Sequence, residues 1–361
     1  CMIGCRHGAK NRLDKNYLHL AERLGVEILP EHEVVAVRPH AGGYLVEARV
    51  PGRRRRRPPV TAEQVVIAAG TRGTLELLLR MRAAGHLDGL SPRLGENLRT
   101  NSEAVVGATA RSDRVDYSEG VAITSSIHPD ARTHIEPVRY PRGSNAMGLL
   151  ATILVDGDGS TPRWRRFVAA VAERPGAFLR SLSVRHWARR TVILLVMQAH
   201  DNALRGRLRR GRLVAELDDD RPNPSYLPVA NEAARIAAEL VDGDPTSSLN
   251  EVLLDAPITA HLIGGVCIGE GPDTGVVDAY HRVFGHPGLH VVDGSVIGAN
   301  LGANPSLTIT ALAERALAAW PNRGEPDRRP PLGAPYGGLE PVPPRRPAVP
   351  ADAVGALFYA S

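Results

Sequence analysis

The sequence predicts a mixed α/β (α+β) fold, in which the later part of a Rossmann-like dinucleotide-binding domain is joined to an antiparallel-sheet substrate domain. Three observations predict it. Gln64 to Ala69 is a continuous apolar run that ends in Ala68-Ala69-Gly70 and leads into a helical pattern, as a strand buried on both faces would. Leu289 to Val292 is a second short apolar strand, ending in Asp293-Gly294. Between the two, from roughly Ser102 to Asn250, the texture changes to strand-like pieces with interspersed helices.

The elements follow in order. Leu13 to Leu24 reads as a helix with Leu13, Leu20 and Leu24 on one face and Gly25 as its stop. Val26 to Val37 reads as a strand, and Gly42-Gly43 turns it into a second, Tyr44 to Val50. Arg53 to Arg57, between Pro51-Gly52 and Pro58-Pro59, is a solvated loop. A helix runs from Thr74 to about Ala84. In the middle, strands are expected at Val105 to Ala110, Thr133 to Val138, Leu149 to Val155 and Val192 to Met197. Helices are expected near Thr161 to Ser181 and over Glu232 to Val241. Asn304-Pro305-Ser306 opens a last helix to about Ala319, with Pro305 suited to the first turn. The tail beyond Asn322 is rich in Pro and Arg and should be extended, wrapping the body or disordered. The division this suggests is 1–101, 102–250, 251–321 returning to the first domain, and 322–361 as tail.

Composition excludes several classes. The longest apolar runs, such as Thr191 to Met197, fall far short of the roughly 20 residues of a membrane helix. Three cysteines, Cys1, Cys5 and Cys267, make neither a disulfide framework nor a zinc cluster, so no metal is expected. A reducing compartment, cytoplasmic or cell-associated, is the default. The net charge of +5 gathers at Arg53 to Arg57 and around Arg205 to Arg212. Few aromatics accompany these clusters as stacking platforms, so nucleic acid is not an expected partner. The chain opens on Cys1, and no strand is followed by G-x-G-x-x-G. Both features lead us to expect that the N-terminal portion of the nucleotide-binding domain is missing from this sequence.

The segment from Ile258 to Arg315 carries the densest chemistry. Asp293-Gly294 lies at the carboxyl end of a strand, where open α/β sheets bind ligands, and the glycine permits close approach of a phosphate. The helix opened by Asn304-Pro305 offers its N-terminus to negative charge. His261 precedes Gly264-Gly265, a tight backbone that can admit a cofactor ring.

This segment resembles the C-terminal signature of the glucose–methanol–choline (GMC) oxidoreductases, more narrowly their bacterial cholesterol-oxidase-like branch. The resemblance extends over nearly the whole chain, through C-M-I-G-C-R-H-G-A-K-N from Cys1, D-K-N-Y-L from Asp14, R-T-N-S-E from Arg99, H-I-E-P-V-R-Y from His134, G-S-N-A-M-G from Gly143 and G-E-P-D-R-R-P from Gly324. It implies an FAD-binding domain and an active-site pair, the histidine of T-x-H-x-x-G-G at His261 and the asparagine of N-P-S at Asn304. It implies a glutamate on the substrate sheet, for which Glu136 is the candidate and Glu103 the competitor. FAD contacts are implied at Val34, Ala69, Gly70, Asp293, Gly294, Asn304 and Pro305. Leu262 stands where the family often has proline, and Val266-Cys267 reverses the usual order after the two glycines. His7, His128 and His281 read as structural.

The implied activity is FAD-dependent oxidation of a secondary alcohol, the 3β-hydroxyl of a sterol such as cholesterol, with oxygen or another acceptor. Migration of the 5-ene double bond to the 4-ene position, and transient contact with a membrane surface to extract sterol, go with that reading. The alternatives are another bulky alcohol as substrate, or an inactive fragment unable to hold FAD.

Overall fold

The computed structural model describes residues 4–5, 7–158, 160–218, 220–255, 259–350 and 352–353. Cys1, Met2, Ile3 and Arg6 of the opening motif, and Ile258 at the head of the dense segment, lie outside the described residues. Antiparallel sheets and packed helices give the mixed α/β architecture that the sequence predicts.

The first body is built from both ends of the chain. Strands Glu33–His40, Gly43–Arg49 and Val60–Ala62 form an antiparallel sheet, and Val65–Ile67 pairs in parallel with Leu289–Val291. Helix Gly70–Ala83 packs its Leu75, Leu78 and Met81 into a core shared with Val37, Leu98, Ile263 and Leu289. It starts earlier than the expected Thr74, because Gly70 takes a left-handed turn (φ +72°) straight off the strand end. The expected strand Val26 to Val37 is confined to its second half. Pro30 and a left-handed Glu31 (φ 55°) interrupt the first. The expected helix Leu13 to Leu24 divides into a 3₁₀ turn, Leu13–Lys15, and a helix, Tyr17–Arg23. The break is at Asn16, whose side chain accepts a hydrogen bond from the Tyr17 amide. Neither piece buries a residue.

The second body is a six-stranded antiparallel sheet in the order Ile127–Asp130, Thr133–Val138, Thr191–Gln198, Ala104–Ala110, Gly243–Ser248, Ala151–Ile153. Helix Pro228–Leu240 lies on it. Ala230, Ala234 and Ala238 repeat every fourth residue along its buried stripe, and their small side chains let the helix approach Val106 and Val196 closely. The single helix expected over Thr161 to Ser181 is two, Arg163–Glu173 and Pro175–Ser181. Pro175 has no amide to continue the first and opens the second.

A four-stranded sheet ties the bodies together: Arg212–Leu217, Leu204–Arg209, Leu98–Arg99 and Ile263–Gly264. The basic cluster at Arg205 to Arg212 is therefore a hairpin. Its arginines point outward while Leu204, Leu208 and Leu213 pack on the first core. Gly264 (φ +83°) is required here, since a Cβ would stand 2.1 Å from the Asn97 carbonyl oxygen. The tail between 322 and 350 forms no helix or strand and lies along the body. Arg282 donates to the Pro330 carbonyl and Tyr280 to the Gly337 carbonyl. No helix among the described residues is long and apolar enough to cross a membrane.

Candidate active site

The segment Arg99-Thr100-Asn101-Ser102-Glu103 links the joining sheet to the six-stranded sheet, and every one of its residues is buried. Buried polar groups must be paired, and these are paired mainly with the loops that carry the site. The Arg99 guanidinium donates to the carbonyls of Gly298 and Asn202. The Asn101 amide donates to the Ala303 carbonyl at 2.7 Å. Asn300 donates to the Gln198 and His200 carbonyls, both at 2.9 Å. Residues 298–304 are thereby fixed against the six-stranded sheet.

Glu103 ends this segment and holds His261. Its carboxylate accepts from the Thr259 hydroxyl (2.8 Å), the Ala260 amide (2.9 Å) and His261 Nδ1 (2.7 Å). Against a carboxylate, Nδ1 carries the proton, which leaves Nε2 as the free ring nitrogen above the histidine's pKa. Burial pushes the Glu103 carboxyl up, but the hydrogen bonds from His261, Ala260 and Thr259 outweigh it and hold it below the usual range. The His261 imidazole is raised by its bond to Glu103, against its own burial, with further help from the charge of Glu136 and from Asn304.

Asn304 and Glu136 form the second pair. Asn304 Nδ2 donates to Glu136 Oε1 at 2.6 Å. Helix Ser306–Ala318 has no side-chain cap, so the Asn304 side chain is spent on Glu136 instead. Glu136 sits in the middle of strand Thr133–Val138, opposite Leu195, and is 5% exposed. Its second oxygen has no protein partner. The two glutamates that the sequence set in competition therefore occupy different positions, one under His261 and one under Asn304. Sequence reasoning did not see Asn101, Asn300 or His134 as parts of this region. The signal was the density of small polar residues in R-T-N-S-E just ahead of an apolar strand, and the same-face spacing of His134 and Glu136.

The expected cofactor contacts divide. Ala69, Gly70, Asp293 and Gly294 converge at the carboxyl ends of the parallel pair. The Ala69 amide donates to Thr74 Oγ1, and that hydroxyl donates to Asp293, which also accepts from the Ser295 amide. Ala69 and Gly70 are exposed, and nothing lies within 4 Å of a Cβ placed on Gly70. This open, glycine-lined strand end above a helix N-terminus fits a dinucleotide cofactor such as FAD. Pro305 stands at the N-terminus of the last helix, and Val34 lies on the neighbouring hairpin at a bulge, 40% exposed. One expectation needs correcting: Gly264-Gly265 make no space for a ring. Cβ atoms there would meet the Asn97 and Ile297 carbonyls and Leu75, so the glycines serve the chain's own packing. The Gly294 Cβ position is likewise bounded by Thr71, Ile309 and Ile263.

Residues 189–313 match the GMC oxidoreductase family. The chain is 50% identical to a cholesterol oxidase of Mycobacterium tuberculosis (strain CDC 1551 / Oshkosh), over 99% of this chain and 64% of that protein. It is 41% identical to a cholesterol oxidase of Acinetobacter baumannii, over 89% of this chain and 60% of that one. It thus spans less than two thirds of the length of these relatives. Among solved structures, an FAD-dependent oxidoreductase from Chaetomium thermophilum superposes with a TM-score of 0.51 at 16% identity, covering 84% of this chain and 63% of that one, a likeness of fold.

Proposed function

The chain belongs to the GMC oxidoreductase family, and from that membership we propose that it serves FAD-dependent oxidation of a secondary alcohol, the 3β-hydroxyl of a sterol, to the ketone. The observation that carries the proposal is the pairing of Glu103–His261 with Asn304–Glu136 at one locus. The names of the most similar relatives support the sterol as substrate.

When bound, the flavin supplies the hydride acceptor. Ala69, Gly70, Asp293 and Gly294 would hold it at the open strand end. Asn304 and Pro305 would offer it a helix N-terminus, which favours negative charge. Val34 would flank it from the hairpin. His261 Nε2 takes the hydroxyl proton, with Nδ1 anchored on Glu103 so that the ring keeps one tautomer. Asn304 holds the substrate hydroxyl beside His261. Glu136, buried and with one free oxygen, moves a proton from C4 to C6 and converts the 5-ene-3-ketone to the 4-ene-3-ketone. Oxygen or another acceptor would take up the electrons, and transient contact with a membrane surface would deliver the sterol.

The test is direct. FAD is titrated into the purified protein and followed by flavin fluorescence. Sterols and other bulky alcohols are then added without oxygen, and loss of oxidised-flavin absorbance is recorded. Bleaching by 3β-hydroxysterols, reduced by about 10²-fold or more in His261→Ala at unchanged flavin binding, is expected. Bleaching only by other alcohols rejects the sterol, and failure to take up FAD rejects oxidation by this chain alone. Glu136→Gln should leave oxidation and remove isomerisation, so an unchanged product ratio rejects its role.

A further inference from the structure

The two helices set between strands Ala151–Ile153 and Thr191–Gln198 leave an apolar flank uncovered. In Arg163–Glu173, Phe167, Ala170 and Val171 pack inward. Phe167 meets Phe178 of Pro175–Ser181 edge to face, with ring centroids 5.8 Å apart. Trp164 and Val168 lie one turn apart, next to Phe167 on the helix surface. Leu179 and, at the helix cap, Leu182 stand in the same way beside Phe178. All four are between 48% and 66% exposed. The spacing brings these two apolar stripes to either side of the phenylalanine seam.

Cations frame this flank. Arg165, Arg174 and Arg185 are exposed and form no salt bridge among the described residues. Arg163, Arg166 and Arg180, by contrast, are paired with Glu251, Asp158 and Asp244. The Arg165 guanidinium lies over the Trp164 ring, 5.3 Å from its centroid. Glu173 is the one acidic residue on the two helices. Exposed aromatic and aliphatic side chains among unpaired arginines match the boundary of a lipid bilayer. The indole sits at headgroup depth, the aliphatic side chains below it, and the arginine stems reach back to the phosphates. A second copy docked on the same flank would set these arginines against one another. The first helix is also fastened near the site. Arg163 and Glu251, both 2% exposed, tie it to helix Leu249–Leu254. Glu251 accepts from the Val105 amide at 3.0 Å, two residues beyond Glu103. The helix is thus anchored at the strand end that carries Glu103 and His261.

We propose that the flank formed by Trp164, Val168, Leu179 and Leu182 docks on an anionic lipid surface, with Arg165, Arg174 and Arg185 on the lipid phosphates. The inference rests on the membrane contact proposed above and gives that contact a place on the molecule.

The test uses the purified protein and sterol-free vesicles, and needs neither flavin nor turnover. Flotation compares vesicles of phosphatidylcholine alone with vesicles of equimolar phosphatidylcholine and phosphatidylglycerol. Binding to the mixed vesicles should be tighter by about tenfold or more. Leu179→Asp with Leu182→Asp should weaken it by about tenfold or more. Arg165→Glu with Arg185→Glu should erase the preference for phosphatidylglycerol. Leu240→Asp, at an exposed leucine of helix Pro228–Leu240 away from the flank, should change nothing. Every substituted side chain is exposed, so the fold is retained, and circular dichroism checks it. Absence of binding to the mixed vesicles, or binding indifferent to the paired leucine substitutions, overturns the docking face. A dimer that those substitutions dissociate, without vesicle binding, gives the flank to a second copy and overturns it too. Vesicle binding without bleaching of the flavin by sterols upholds the face and removes only the sterol. Bleaching by detergent-dispersed sterols without vesicle binding removes only the face.

Discussion

Glu103 and His261, 158 residues apart, are joined both by side chain and by backbone: one carboxylate oxygen lies 2.7 Å from His261 Nδ1 and 3.2 Å from the His261 amide nitrogen. The ring and the turn that bears it are set by the same group. The orientation of the proposed base is thus a property of the segment 99–103 rather than of its own neighbourhood.

Glu103→Gln tests this pair through stability against pH. The raised His261 contributes fully below its ordinary value of 6.5 and loses that contribution as pH rises through its raised value. The depressed Glu103 contributes fully above 4.5 and loses it as pH falls through its lowered value. The pair is strongest between those limits. Denaturant midpoints near pH 6 should show a loss of about 3 kcal/mol in the variant, shrinking once His261 is neutral. A loss that does not vary with pH would show that the ion pair contributes nothing beyond its hydrogen bonds.

Gly264→Ala should cost about 3 kcal/mol or more, since it combines a left-handed backbone with a Cβ 2.1 Å from Asn97 O. Gly271→Ala, with open space around it, is the control and should stay within about 0.5 kcal/mol. Urea unfolding of the two variants checks this. Equal midpoints would remove the packing account of the double glycine.

Glu251 gives a slope of the opposite kind to an ordinary carboxylate. Burial pushes it up to about 7, against the Val105 amide and Arg163. The folded state then holds a proton that the unfolded chain releases near 4.5, so stability falls as pH rises from there through about 7. Glu251→Gln should flatten this slope and gain on the order of 1–3 kcal/mol at pH 8 relative to pH 5. Thermal unfolding at the two pH values measures it, and parallel wild-type and variant curves would contradict it.

His281 and His290 are held at about 4, mainly by burial. The unfolded chain takes up protons on them below about 6.5 while the folded chain does not, so their contribution is present above that value and is lost as pH falls toward about 4. His290 packs against Trp320, with ring centroids 4.3 Å apart and planes tilted by 46°. Acid titration followed by tryptophan fluorescence should show loss of structure within this window. In His290→Gln, which cannot take up a proton there, the transition should move to lower pH by several tenths of a unit. A transition in the same place would mean that His290 does not drive it.

Local patterns in the sequence carried much of the fold and little of the assembly. The apolar runs at Gln64 to Ala69 and Leu289 to Val292 each mark a strand, but nothing in either says that the two pair in parallel. The hairpin Leu204–Leu217 went unread because its arginines drew attention as charge. Their alternation with Leu204, Gly206 and Leu208 is the period of a strand. At the site, the motifs bring His261 and Asn304 to notice from their own segment. Their partners Glu103 and Glu136 stand 158 and 168 residues away, on the other side of the sheet connections. Two glutamates preceding or lying within strands look alike in one dimension, and only the pleat and the register tell which lies under which partner.

The joining sheet also bears on how the chain reaches this state. Leu98 pairs with Leu204 and with Gly264, closing spans of 106 and 166 residues. Contacts of such sequence separation form late and slowly, because the entropy of ordering the intervening chain is lost before they return any stability. During synthesis, helix Gly70–Ala83 must wait with its apolar face uncovered until residues beyond 260 have emerged. The hazard this implies is kinetic: aggregation of a half-made chain, which assistance during synthesis would relieve and which added stability in the finished fold would not.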